Sequence, residues 1–126
     1  MKTIKFFVLF LVATIKSCSN DDGQKNQLPV LENKTINVSE SLTSDLITSM
    51  AATDTEGDTL TYSIVSQTPV NSVIINETIG ELYVGNASAF DYEQNTSITV
   101  VLEVTDGTLT AQATLTINIL DIQENG

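Results

Sequence analysis

Leu109-Thr110-Ala111-Gln112-Ala113-Thr114-Leu115-Thr116-Ile117-Asn118-Ile119-Leu120 decides the fold. Leu109, Ala111, Ala113, Leu115, Ile117 and Ile119 fall at every second position. Thr110, Gln112, Thr114, Thr116 and Asn118 fall between them. Period-2 alternation of this length marks a strand with one face in a core and the other in water. The stretch just before it behaves alike. Ile98, Val100, Leu102 and Val104 share one face of residues 97–105, and Asp106-Gly107-Thr108 makes a short turn between the two.

The same pattern continues toward the N-terminus. Strands are expected over residues 34–38, 46–53, 60–66, 72–76 and 81–84, giving seven with the two above. No stretch after Lys34 has a helical period. One-sided strands expected to run antiparallel must pack sheet on sheet, so the fold class is all-β: a seven-stranded Greek-key β-sandwich of the immunoglobulin-like kind. The chain has no Trp and one cysteine, so no buried disulfide pins the sheets and a true antibody-type domain is excluded. No internal repeat is visible.

The N-terminus reads differently. Lys2 and Lys5 precede an apolar run, residues 6–15 (FFVLFLVATI). That is too short to span a bilayer, which takes about 20 residues, and it suits a signal-peptide core. Ile15, Ser17 and Cys18 behind it resemble a bacterial lipoprotein signal, with Lys16 departing from the usual small or uncharged residue. The resemblance implies residues 1–17 as signal peptide, Cys18 as the lipidation site, 18–27 as a lipidated polar tether and 28–126 as the sandwich domain. It implies an exported protein, lipid-anchored at the cell surface or outer membrane.

The 126 residues carry a net charge of −11, with 16 acids and no His or Arg. From Cys18 onward those 16 acids face two lysines, Lys25 and Lys34, or −14. A nucleic-acid partner, which needs a basic face, is excluded, as is electrostatic binding to anionic lipid. Without His, Arg or a thiol beyond Cys18, a nucleophile–base pair or phosphate clamp is hard to build, so no enzyme is expected. Asp91 and Glu93 could in principle hydrolyse a glycoside, but two residues apart on an extended segment they share a side.

The acids concentrate in turns. Asp54, Glu56 and Asp58 lie between the second and third strands, and Asp106 lies between the sixth and seventh, at one expected end of the sandwich. Glu40, Asp91, Glu93, Asp121 and Glu124 are expected to gather at the other. Crowded carboxylates repel, and oxygen donors without His or Cys suit calcium, Ca2+. Glu103 is the exception, placed mid-strand and facing outward.

These residues also carry a likeness. Val38-Ser39-Glu40, residues 52–64 (ATDTEGDTLTYSI), Phe90-Asp91-Tyr92-Glu93, Val104-Thr105-Asp106-Gly107 and Asp121-Ile122-Gln123-Glu124-Asn125 occur in the order in which a cadherin repeat carries its motifs. Over residues 28–126 the chain resembles one such repeat, which implies that the sandwich is cadherin-like. The resemblance implies a calcium half-site from Glu40, Asp91, Glu93, Asp121 and Glu124, with oxygens from Gln123 and Ile122. It also implies a second site in which Asp54, Glu56 and Asp106 join a preceding repeat. The segment 25–29 lacks the linker acids, so that second site is expected to be incomplete. The expected function is a calcium-stiffened adhesion or spacer module. Its partners would be other cadherin-like modules or a cell-surface protein, and the membrane through the lipid anchor. The alternatives are a metal-independent spacer and an accessory glycan-binding module, for which Tyr83 and Tyr92 are the aromatic candidates. Leu120 and Ile122 are expected to be exposed beside a neighbouring module.

Overall fold

The structure, a computed structural model, describes residues 25–122. Seven strands follow one another: β1 (Lys34–Ser39), β2 (Leu46–Ser49), β3 (Thr61–Thr68), β4 (Val73–Ile75), β5 (Glu81–Val84), β6 (Ser97–Thr105) and β7 (Thr110–Leu120). A 3-10 turn, Ala87–Phe90, lies between β5 and β6. One sheet has the order β1-β7-β6-β3 and the other the order β2-β5-β4.

The alternating residues of β6 and β7 build the core. Ile98, Val100, Leu102, Val104, Leu115 and Ile117 have no exposed surface. Leu82 of the smaller sheet and Phe90 of the 3-10 turn meet them. Asn86 caps that turn, its Oδ1 accepting from Ser88 N at 3.1 Å. The cap holds Phe90 inward and so places the acidic residues that follow it.

Two features differ from the expected pattern. β1 pairs with β7 in parallel, Lys34 opposite Leu115 and Ser39 opposite Leu120. A hairpin would force antiparallel pairing, but most of the domain lies between β1 and β7, so a crossover sets their direction. The second strand also ends at Ser49 rather than at Thr53. Met50 turns inward and is 3% exposed, and Thr53 leaves the ladder for an isolated bridge to Val30. Ala52 N donates to the Tyr62 hydroxyl at 2.9 Å, replacing the ladder bond it has lost.

β6 fixes the distance between the acidic groups. Its nine residues separate the Asp91–Glu93 segment from Asp106 by about 30 Å.

Candidate metal centre

At the end where β1 and β7 finish, Glu40, Asp91 and Glu93 each bring a carboxylate oxygen within 4.8 Å of the others. Asp121 joins them around an open cleft of about 750 Å³, floored by Phe90. Local hydrogen bonding explains the arrangement. Glu40 Oε2 accepts from Tyr92 N at 2.9 Å, and Glu40 Oε1 accepts from Ile122 N at 3.0 Å. One carboxylate therefore ties the end of β1 to the loop after the 3-10 turn and to the segment leaving β7. Asp91 Oδ1 accepts from Glu93 N at 3.1 Å, which folds the two acids onto one side.

This group is electrostatically strained. The Glu93 carboxyl is held above its ordinary pKa, first by a hydrogen bond with the Asp91 side chain, then by desolvation and by the charges of Glu40 and Asp121. Lys34 brings no relief, since its Nζ donates to Thr48 Oγ1 at 2.9 Å and to the Ser49 carbonyl at 3.1 Å.

At the opposite end, Asp54, Asp58 and Asp106 form a second group, again with oxygens within 4.8 Å of one another. Here the donors are mostly the chain's own. Asp106 Oδ1 accepts from Thr108 N and Leu109 N, both at 2.8 Å. Asn26 Nδ2 donates to Asp106 Oδ2 at 2.9 Å. The two backbone amides, ahead of Asn26, hold the Asp106 carboxyl below its ordinary pKa. Asp54 Oδ1 accepts from Glu56 N at 2.8 Å and from Asp58 N at 3.2 Å. Gly57, at φ +74, makes that return possible, a conformation with little cost only for glycine. Asp54 Oδ2 is buried and has no hydrogen-bond partner.

The structure therefore brings together Glu40, Asp91, Glu93 and Asp121. It also brings together Asp54 and Asp106, but with Asp58 rather than Glu56 as the third acid. Glu56 Oε1 instead accepts from Gln27 N at 3.2 Å, facing the N-terminal segment. Asp58 carried a signal in the sequence, being four residues from Asp54 across a glycine. Asn26 carried none. Cys18, Gln123 and Glu124 lie outside the described residues. Hard oxygen donors alone, crowded like charges and the orphaned Asp54 oxygen all fit a divalent cation such as calcium.

The fold defines the class, an immunoglobulin-like sandwich with cadherin-like architecture. The chain belongs to the bacterial Ig domain family, which matches residues 26–118. It is 32% identical over 80 residues to the fat-like cadherin-related tumor suppressor homolog of Drosophila melanogaster, covering 64% of this chain and 2% of that protein. Human protocadherin-24 EC1-2 superposes with a TM-score of 0.67 at 22% identity, covering 77% of this chain and 45% of that one. Drosophila N-cadherin EC1-4 gives 0.65 at 18%, covering 77% and 25%. The chain thus spans less than half the length of these relatives. Among the described residues no helix is long and apolar enough to cross a membrane.

Proposed function

We propose that this chain is a calcium-binding, cadherin-like adhesion or spacer module, carried on an exported chain anchored through a lipid on Cys18. The observation that carries the reading is the convergence of Glu40, Asp91 and Glu93 from two separate segments, with Asp121 beside them. Residues 1–17 would be removed as signal peptide, 18–27 would serve as tether and 28–126 would form the module.

Glu40, Asp91, Glu93 and Asp121 would hold the ion, with Glu124 next along the chain. A bound calcium supplies two positive charges and accepts six to eight oxygens. Each of these residues has a place in the resulting stiffening. Glu40 already holds both other segments through backbone amides, and Asp91 and Glu93 supply the charges that otherwise push the loop outward. Asp121 brings in the segment through which a following module would connect. An incompletely coordinated site of this kind binds weakly, with Kd on the order of 10⁻⁴–10⁻³ M. The partners would be further cadherin-like modules or another surface protein. On this reading the acids, gathered on one side, serve as co-ligands rather than as an acid and base flanking a substrate.

The test is the melting temperature of the full chain in millimolar calcium, in magnesium and in EDTA. Calcium alone should stabilise by about 1 kcal/mol, or roughly 5 °C, and Glu93→Ala should remove the effect. Equal melting in all three would leave a metal-independent spacer.

A further inference from the structure

The outer face of the β2-β5-β4 sheet carries a feature that neither acidic end uses. Leu46 of β2 and Ile74 of β4 both stand directly opposite Tyr83 of β5. Cross-strand partners share a face of the sheet, so the three side chains form one row across all three strands. Leu46 is 47% exposed and Ile74 57% exposed. Tyr83 lies half-buried between them, a ring flanked by two aliphatic side chains.

The next row along the strands is polar. Ser49 stands opposite Glu81, and Asn76 N donates to the Glu81 carbonyl from the other side at 2.8 Å. The Tyr83 hydroxyl donates to Glu81 Oε1, which fixes the ring on its strand beside the carboxylate. On the other side of the aromatic row β5 runs into Gly85, where the backbone of Asn71–Val73 packs so closely that a Cβ would meet Asn71 O at 2.8 Å; that backbone bounds the row.

We propose that this row is a glycan platform, on which Tyr83 stacks against a pyranose ring while Glu81 accepts from a hydroxyl at its rim. A sugar has the same amphipathy as the surface: an apolar C–H face bordered by hydroxyls. Tyrosine supplies a large rigid contact at small entropic cost, and Leu46 and Ile74 lengthen it. The size points the same way. Three strands span about 10 Å, room for a short stretch of oligosaccharide. A stable protein partner needs about 800 Å² per side, far beyond one row of three residues. A second copy is disfavoured by charge, since each chain carries −11. Charge also makes the occupant a neutral sugar rather than an acidic one. Tyr92 does not share the role. It packs against the core, and its amide is committed to Glu40. None of the platform residues belongs to either carboxylate group, so the inference stands or falls apart from calcium binding.

The experiment is native electrophoresis of the full chain through gels containing, one at a time, hydroxyethyl cellulose, laminarin, xylan and galactomannan. At least one should slow the chain. Tyr83→Ala should weaken that retardation about tenfold, the size of one lost stacking contact. Tyr83→Phe keeps the ring and should stay within about threefold, as hydrogen bonds at exposed sites are small. Ile74→Ser should weaken it, and Thr99→Ala on the other sheet should leave it unchanged. Equal melting temperatures of wild type and Tyr83→Ala would separate loss of the platform from loss of the fold. Failure of all four polysaccharides to slow the wild type would overturn the proposal, as would equal retardation of Tyr83→Ala. So would a concentration-dependent dimer that Tyr83→Ala abolishes, since the row would then be a self-association surface.

Discussion

At the end of the sandwich that carries Asp106, three donors converge on one carboxylate: Thr108 N, Leu109 N and Asn26 Nδ2. At the end that carries Glu93, the group with which the carboxyl shares its hydrogen bond is another acid, Asp91. Each end gathers three carboxylates with oxygens within 4.8 Å of one another, yet their electrostatics are opposite. Backbone amides aimed at Asp106 favour its charged form, whereas neighbouring acids disfavour the charge on Glu93. Carboxylate count alone therefore does not rank metal sites. What ranks them is how far the chain's own donors have already satisfied each oxygen. Five donors serve the Asp106 group and three serve the Glu40 group, so the Glu40 end has more to gain from a cation, although the orphaned Asp54 oxygen keeps the other end from being fully satisfied.

The comparison can be broken most severely from below. Phe90 is fully buried beneath the cleft, and Phe90→Ala should cost about 3–5 kcal/mol and abolish the calcium response with it. Denaturant unfolding with and without calcium checks both effects. Glu40→Ala releases two backbone amides at once and should cost about 2 kcal/mol even in EDTA. If Glu40→Ala unfolds like wild type in EDTA, the tie between β1, the loop and the C-terminal segment is unimportant. At the other end, Asn26→Ala removes one amide from Asp106 and should cost about 1 kcal/mol, leaving the calcium response intact.

The smallest effect has the opposite sign. Glu93→Gln should raise the melting temperature slightly in EDTA while removing the response to calcium. The pH dependence follows the same division. Glu93 has a raised folded pKa, so its contribution to stability is present below the ordinary carboxylate value and is lost as pH rises through the folded one. Asp106 has a depressed folded pKa, so its contribution is present above the ordinary value and is lost as pH falls through the folded one. Mild acid should therefore favour the Glu93 end, and stronger acid should loosen the Asp106 end. Melting curves of Glu93→Gln and Asp106→Asn across the acidic range should each lose one of these slopes.

Much of this was legible in the sequence, for identifiable reasons. β6 and β7 were plain because period-2 burial leaves its mark on every residue, and β5 because Gly80 and the turn before it bound it. The gathering of Glu40, Asp91 and Glu93 followed from the order of strands, since loops at the same end of a sandwich must meet. The parallel pairing of β1 with β7 was not legible, because strand direction across a long crossover leaves no local pattern. The third acid of the second group was legible only in part, since Asp58 carried a signal but nothing in the sequence ranked it above Glu56. The Leu46–Tyr83–Ile74 row was hidden for a related reason. It exists only through the register of β5 with its two neighbours, one of which, β2, lies far from it in the chain.

The most direct test of the contrast between the ends is a calcium titration followed by the backbone amide resonances of the full chain. The amides of Tyr92, Glu93 and Ile122 bond to the carboxylates of the Glu40 end, and those of Thr108 and Leu109 to Asp106. The account predicts that the first three shift and saturate with Kd on the order of 10⁻⁴–10⁻³ M while the last two stay nearly still. Shifts confined to Thr108 and Leu109, or no saturable shift at Tyr92, Glu93 and Ile122, would contradict it.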